Sequence, residues 1–165
     1  MSIEVLDESG TGLDVRRAQR LAAFVLEQMR VHPQAELCIT AVDEETIAEL
    51  NGKWMDKEGP TDVLAFPMDE LRPGKVNEEP EEGILGDLVL CPAVAQSQAE
   101  KQQQEGRPDY SVQDELDLLT VHGILHLLGY DHAEPEEHRE MFDLQAKLLE
   151  QWRAEGGGAR GGARK

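Results

Sequence analysis

Three histidines in the C-terminal half of the chain are the residues best suited to chemistry. They are His122, His126 and His132 in the segment HGILHLLGYDH, and Gly129 lies between the second and the third. Side chains four residues apart lie on the same face of an α-helix, so the first two can bind one metal ion from successive turns. A glycine can end that helix and return the chain, which would bring the third imidazole to the same ion. The pattern predicts a metal site with three imidazole ligands.

Three imidazoles with an open fourth position are typical of a catalytic zinc site, whereas a structural site is closed by protein ligands. Neutral ligands leave the ion its positive charge, so a water on the metal becomes acidic near neutral pH and is the expected catalytic group. Asp131 is a candidate outer carboxylate or proton acceptor, and a plain role in the turn is equally open. Imidazole ligands favour Zn²⁺ as the cofactor, one ion per chain.

The histidine spacing matches the metzincin protease pattern H-E-x-x-H-x-x-G-x-x-H with one departure. Where those proteases carry the glutamate that acts as general base, this chain has Gly123. Without that carboxylate, the usual activation of water against a peptide bond is missing. The site therefore indicates a hydrolase but disfavours a peptidase. RNA fits better as a substrate, because its 2′-hydroxyl is a built-in nucleophile.

The elements that must position this site alternate along the chain. Apolar alternation and helical spacing predict strands at about 3–6, 35–42, 61–66 and 84–90, and helices at about 14–31, 43–54, 92–106, 111–128 and 135–154. The segment before Gly129 is apolar nearly all round, which predicts a central buried helix carrying the zinc site with the turn that follows. Strands interleaved with helices predict an α/β (α+β) fold with a single mixed sheet packed with helices.

Length and composition fit one domain at about 1–154 and a flexible basic Gly/Arg tail at 155–165. Hydrophobic residues make up 39% of the 165 residues, which excludes a disordered chain. We find neither a signal peptide nor the roughly 20 apolar residues of a membrane span. Cys38 and Cys91 are expected to be buried reduced thiols. These features predict a cytoplasmic protein without a membrane partner.

The formal net charge of −18 argues against a general affinity for nucleic acids, which rests on Lys and Arg neutralising phosphates. We therefore expect no DNA partner, and the charge favours a partner with basic patches. An acidic loop with Glu78, Glu79, Glu81 and Glu82 is a candidate for that contact, although a solvated loop is the plainer interpretation. The tail is expected to be an untethered end, with a weak RNA contact as the alternative.

Three blocks of sequence resemble the YbeY endoribonuclease family. Residues 122–132 resemble its H-G-x-L-H-L-x-G-Y-D-H signature. Residues 50–51 followed by 60–67 resemble its L-N and P-T-D-V-L-S-F-P blocks, and residues 86–92 resemble its G-D-I-x-I-x-P block. The blocks occur in the same order, and the resemblance covers about residues 3–152.

This resemblance implies a single-domain fold and a zinc ion bound by His122, His126 and His132. It implies a single-strand-specific endoribonuclease that acts in maturation of the 3′ end of 16S ribosomal RNA and in late-stage quality control of the 70S ribosome in bacteria. The implied partners are ribosomal RNA, the small ribosomal subunit and ribosomal proteins. Two alternatives stay open: a ribosome-assembly factor whose metal is mainly structural, and another metallohydrolase such as a peptidase.

The chain departs from the family pattern where substrate is expected to bind. Met55 stands where many relatives carry an Arg thought to contact RNA, and Lys53 is a candidate replacement. Ala65 replaces the usual Ser. Thr61 and Asp62 are retained, and substrate contact and local hydrogen bonding are equally open for them.

Overall fold

A computed structural model describes residues 2–69, 83–131 and 133–156. The elements in chain order are β1 (Ser2–Asp7), α1 (Val15–Gln28), β2 (Glu36–Ala41), α2 (Glu44–Met55), β3 (Val63–Pro67), β4 (Ile84–Leu90), α3 (Pro92–Gln104), α4 (Val112–Leu127) and α5 (Pro135–Ala154). The predicted order of strands and helices is confirmed, with ends displaced by at most about three residues. His132, the acidic loop at 78–82 and the tail from 157 lie outside the described residues.

Four strands form one mixed sheet in the order β1–β2–β4–β3. β1 pairs with β2 and β2 with β4 in parallel, whereas β3 runs antiparallel to β4. Parallel neighbours need a crossover connection, which α1 supplies between β1 and β2. The single mixed sheet of an α+β fold is confirmed.

Gly86 in β4 lets β3 approach closely. Its φ is +147°, and a Cβ there would collide with the carbonyl oxygen of Phe66 on β3. The register between β2 and β4 also shifts at this point, since Glu36 pairs with Ile84 and Leu37 with Gly86. A side chain at this position would therefore displace β3, which forms one wall of the site described below.

The central helix of the fold is α4, as the sequence predicts. It contacts α1, α3 and α5 as well as β3 and β4. Ten of its sixteen residues are buried, including Val121, Ile124 and Leu125 at 0% exposure. His122 and His126 are half-buried on this otherwise enclosed helix. Two adjacent turns of the most buried helix thus expose imidazoles.

Hydrogen bonds at both ends fix the position of α4. At its start, the Ser111 hydroxyl accepts from the Asp114 N–H at 3.0 Å, and the Asp114 carboxylate accepts from the Ser111 N–H at 2.9 Å. These two reciprocal bonds form a capping box. At its end, Gly129 has a φ of +99°, and the Tyr130 N–H donates to the Leu125 carbonyl at 3.0 Å. The predicted glycine stop is confirmed.

A buried ion pair joins α1 to α4. Arg17 Nη2 and Nε donate to the two carboxylate oxygens of Asp117 at 2.8 and 3.1 Å, and both side chains are buried. The guanidinium also lies over the Trp152 ring of α5, 5.0 Å from its centroid. Three helices therefore meet at this charged pair.

Both cysteines have free thiols, but only one of them is fully enclosed. Cys91 has no exposed surface and matches the expectation, whereas Cys38 is half-buried. Among the described residues, no helix is long and apolar enough to cross a membrane.

Candidate metal centre and its two clefts

His122 and His126 lie side by side on successive turns of α4. Their ring centroids are 4.8 Å apart, and the ring planes meet at 79°. This is the geometry that the four-residue spacing predicts. Both rings line one wall of an open cleft, so the arrangement offers a pair of imidazole nitrogens to a ligand in that cleft.

A glutamine on α5 fixes the orientation of the first imidazole. Nδ1 of His122 lies 2.8 Å from Oε1 of Gln145, whose side chain is 3% exposed. Because an amide oxygen only accepts, Nδ1 carries the proton and Nε2 keeps its lone pair. Histidines that bind metals in proteins are commonly held in this way through their second nitrogen.

Gln145 is not among the site residues predicted from the sequence, although a signal was present. It lies on the buried stripe of α5, four residues after Met141 and three before Leu148. A polar residue at such a position needs a partner when it is buried. The partner, His122, is 23 residues away in sequence, and no local pattern links the two.

The two described histidines, His122 and His126, are suitable ligands for a zinc ion. Two neutral imidazoles, one with its tautomer fixed, are suitable donors for Zn²⁺. Among the described residues, no group of three or more His, Cys, Asp or Glu side chains is arranged to hold a metal. His132, the expected third ligand, is outside that set. Asp131 has an exposed side chain after the Gly129 turn, and its role as proton acceptor stays a prediction.

Packing explains why Gly123 stands where metzincin proteases have glutamate. A Cβ at Gly123 would lie 2.6 Å from Cδ2 and 3.1 Å from Cδ1 of Leu88, a fully buried residue of β4. The helix therefore rests directly on the sheet at the turn that carries the histidines. A side chain, and so a carboxylate, cannot be placed here without displacing the Leu88 side chain.

The cleft in front of the histidines, which we call the first cleft, has a volume of about 470 Å³. Its walls come from α4, from β3 with the residues before it, and from the end of α2. Thr61 and Asp62, two of the candidate substrate residues, line it, and so do Met55 and Ala65. The structure thus brings both departures from the family pattern to the same surface as the histidine pair.

The lysine that lines the first cleft is Lys57, and not Lys53, which the sequence suggested. Lys53 is not among the described lining residues, and its ammonium lies over the Trp54 ring, 5.1 Å from the centroid. Lys57 does line the cleft. Asp56, which ends α2 in the left-handed conformation with a φ of 54°, turns the chain before Lys57. A non-glycine residue in that conformation is rarely predictable from sequence, which is why Lys57 was missed.

Hydrogen bonds hold the Asp62 carboxylate in place. Oδ1 accepts from the Val63 N–H at 2.7 Å and from the Thr61 hydroxyl at 3.4 Å. Oδ2 accepts from Nε2 of Gln98 on α3 at 3.2 Å. Local hydrogen bonding, one of the two alternatives that the sequence left open, is therefore present, and substrate contact stays a prediction.

A second cleft of about 460 Å³ opens on the other side of His122. It lies between α3, α4 and α5, and it shares Asp62, Val63 and His122 with the first cleft. At its base the Tyr110 hydroxyl donates to Oε1 of Glu115 at 2.8 Å, and both residues are buried. Burial raises the pKa of the Glu115 carboxyl, and the negative charge of Asp62 adds to the effect. Burial and the bond to the carboxylate also raise the pKa of Tyr110.

The fold and the clefts together define a class: α+β proteins with one mixed sheet, in which the central helix presents a pair of histidines to an open cleft. The chain belongs to the YbeY family, because the sequence model of that family, described as "Endoribonuclease YbeY", matches residues 8–153.

Individual relatives agree with this membership. A protein of Nocardioides sp. named "Endoribonuclease YbeY" is 68% identical over 154 residues, which cover 93% of this chain and 99% of that protein. A protein of Thermobifida fusca with the same name is 60% identical over 93% of this chain and 95% of its own length. The solution structure of a Thermotoga maritima protein superposes with a TM-score of 0.60 at 26% identity, with 99% of each chain covered.

Proposed function

We propose that the chain is a zinc-dependent, single-strand-specific endoribonuclease that processes ribosomal RNA. Membership of the endoribonuclease family makes it a hydrolase of RNA phosphodiester bonds. We further propose that it acts in the cytoplasm on the 3′ end of 16S ribosomal RNA and in late-stage quality control of the 70S ribosome. The observation that carries the proposal is the pair His122 and His126, which faces the first cleft with the tautomer of His122 fixed by Gln145.

Several side chains in or next to the first cleft have a role in this proposal. His122, His126 and His132 would hold a zinc ion, which supplies Lewis-acid charge for the phosphate when bound. Gln145 keeps the proton of His122 on Nδ1 and so leaves Nε2 available. Lys57 offsets the negative charge of an incoming phosphate. The family's Arg would supply that charge from the position of Met55.

Preference for single strands has a source at the rim of the first cleft. The side chain of Trp54 is 61% exposed, and its neighbour Met55, which lines the cleft, is 37% exposed. Unpaired bases stack on exposed aromatic rings, whereas the bases of a duplex are already stacked on one another. The exposed apolar surface of Trp54 and Met55 beside a phosphate site therefore favours an unpaired strand.

The acidic character of the chain is compatible with a substrate inside the ribosome. A charge of −18 opposes tight binding of free RNA, but basic ribosomal proteins would attract the enzyme to its substrate. We propose ribosomal RNA and the small subunit as partners on this ground. Reversing the charges of Glu78, Glu79, Glu81 and Glu82 should weaken co-sedimentation with ribosomes if the acidic loop makes the contact. Unchanged co-sedimentation would exclude the loop.

Cleavage assays with matched histidine variants test the activity. The zinc-loaded protein and its His126→Ala variant are incubated with a 20-nucleotide single-stranded RNA, its duplex form and a peptide library. His32→Ala is the control, because His32 is not part of the lining of either cleft; its Nδ1 accepts from the Gln34 N–H at 2.9 Å. We expect cleavage of the single strand alone, lost in His126→Ala and retained in His32→Ala.

Metal analysis of the same proteins tests the cofactor separately. One zinc per chain is expected in the wild type and in His32→Ala, and a large loss in His126→Ala. Equal RNA cleavage by the wild type and His126→Ala would point to a contaminating nuclease and contradict the proposal. Full zinc content without cleavage of either substrate would instead favour an assembly factor with a structural metal.

A further inference from the structure

The second cleft is not explained by phosphate chemistry at the histidines. Its volume of about 460 Å³ is in the range of small-ligand sites, about 300–1,000 Å³. Because it shares His122 and Asp62 with the first cleft, a strand whose phosphate lies at the histidines can place a neighbouring nucleotide in it.

The charges of the second cleft disfavour a phosphate. Asp62, Glu105 and Glu115 line it, against two cations, Lys101 and Arg107. Carboxylates repel phosphate oxygens, but they accept hydrogen bonds from the N–H groups of bases. An uncharged group that carries N–H donors is therefore the better occupant.

In the described part of the chain, one buried acceptor in this cleft lacks a donor and a second can accept further hydrogen bonds. Among the described residues, Glu115 receives one side-chain hydrogen bond, from the Tyr110 hydroxyl, although a carboxylate can accept about four. Oε1 of Gln98 is buried and has no partner in the described part of the chain. Its nitrogen is held by the Asp62 carboxylate, so the amide oxygen cannot exchange places with it. Both acceptors would gain from a donor brought by a ligand.

The rim of the second cleft suits the flat face of a base. The guanidinium of Arg107 lies over the Tyr110 ring, with Cζ 4.3 Å from the ring centroid. Arg107 is exposed, so the opposite face of its guanidinium is accessible. Bases in single-stranded RNA commonly stack on such planes. Leu118 and Phe142, both half-buried, add apolar surface within the cleft.

We propose that the second cleft binds one base of the RNA strand next to the phosphate at the histidines, and that Glu115 selects bases with an exocyclic amino group. Cytosine, whose amino group pairs well with a glutamate, is favoured over uracil, which presents a carbonyl oxygen at the same position. This inference rests on the proposed endoribonuclease function and adds a specificity-determining residue to it.

Equilibrium binding of two matched RNAs tests the base preference without cleavage. Fluorescein-labelled heptamers C7 and U7 are titrated with metal-free, full-length protein, and fluorescence anisotropy gives both dissociation constants. The two RNAs have the same backbone and ring size, and homopolymers make the binding register irrelevant. We expect C7 to bind at least about fivefold more tightly than U7 in the wild type. In Glu115→Gln the ratio of the dissociation constant of U7 to that of C7 should fall below about twofold.

Two further variants separate base selection from charge and from misfolding. Glu100→Gln removes the same charge from the exposed face of α3, outside the lining of either cleft, and should leave the ratio of C7 to U7 affinity unchanged. Gln102→Trp places a large side chain in the second cleft from α3. It should therefore remove the difference in affinity between C7 and U7, and it serves as a test even if Glu115→Gln folds poorly. Circular dichroism verifies that each variant is folded.

The outcomes distinguish the subsite from the nuclease activity. A ratio near one in the wild type, or the wild-type ratio retained in both Glu115→Gln and Gln102→Trp, overturns the subsite even if the protein cleaves RNA. A ratio that depends on Glu115 in a protein that cleaves no RNA supports the subsite and contradicts the proposed function.

Discussion

Because Gly123 has no side chain, α4 can pack directly on Leu88 of β4. In Gly123→Ala the new methyl group meets the δ-carbons of Leu88 at 2.6 and 3.1 Å, where a fully buried residue has little room to move. Overpacking costs about 1–3 kcal/mol. The better helix propensity of alanine returns about 1 kcal/mol. We therefore expect a net loss of about 1 kcal/mol in the free energy of unfolding, measured by urea denaturation.

The double variant Gly123→Ala/Leu88→Ala is the control for this collision. Leu88→Ala alone opens a cavity in the core and should cost about 2–5 kcal/mol. If the methyl group of the alanine collides with Leu88, the double variant will be more stable than the sum of the single effects predicts. Additive effects would show that the two positions do not interact.

Glu115 should make stability depend on pH in a direction opposite to that of most paired carboxylates. Burial raises its pKa above the ordinary value of 4.5, so the folded state binds a proton more tightly than the unfolded state. Below pH 4.5 both states are protonated and this residue has no effect on stability. As the pH rises above 4.5, the unfolded state ionises first, and the folded state loses stability until the pH passes its own pKa.

Comparison with Glu115→Gln isolates this contribution from the charge of the rest of the chain. We expect the unfolding free energy of the variant to exceed that of the wild type at pH 7, and the difference to disappear near pH 4. Chemical denaturation of both proteins at half-unit pH intervals measures it. A difference that grows toward acid pH would contradict the raised pKa.

The sequence could predict the histidine pair but only part of its surroundings. His122 and His126 are four residues apart, so helix geometry alone brings their rings together. Gln145 and Lys57 reach the site through the packing of α5 and through the turn at Asp56, and neither arrangement follows from local spacing. The same holds for Gly123, whose packing reason appears only once β4 lies under α4.

At the scale of the elements, the pair of Arg17 and Asp117 locks α1 onto α4. In Arg17→Met the Asp117 carboxylate stays buried without its guanidinium, and the amide of Gln113 at 2.9 Å replaces only part of it. Breaking a buried pair on one side costs about 3–5 kcal/mol. We expect a loss of that size in the unfolding free energy by urea denaturation.

Replacing both partners should restore most of that stability. Arg17→Met/Asp117→Leu removes the charge together with its partner, and such exchanges are often neutral or stabilising. The double variant is therefore expected within about 1–2 kcal/mol of the wild type. A double variant as unstable as Arg17→Met would mean that the packing of Arg17 on Trp152, rather than charge pairing, holds the helices together.

The sequence predicted elements better than their arrangement. Apolar alternation and helical spacing predicted all nine elements of the described part of the chain, because these signals act within a few residues. The antiparallel course of β3 and its place at the sheet edge depend on pairing with β4, more than 15 residues later in the chain. Gly86, which permits this pairing, was noted only as part of a sequence block.

At the scale of the whole molecule, the net charge is −18, and only a few cations line the described parts of the two clefts. Lys57 lines the first cleft, and Lys101 and Arg107 line the second. Within the described chain, these are the cations that line the two clefts. The protein as a whole repels RNA, whereas the clefts offer local attraction together with stacking and base contacts. Affinity for single strands should therefore be modest and less sensitive to salt than that of a basic RNA-binding protein.

Salt dependence of RNA binding measures how many cations contact phosphates. Single-stranded RNA gives a slope of log K against log salt of about −0.7 per phosphate neutralised, so the one phosphate contact proposed here, at Lys57, gives about −0.7. We expect this slope for U7 and metal-free protein by fluorescence anisotropy. Lys57→Gln should reduce its size by about 0.7, whereas Arg20→Gln on the exposed side of α1 should not change it. A slope of about −5 would require cations beyond the two clefts, and deletion of residues 157–165 would then show whether the basic tail supplies them.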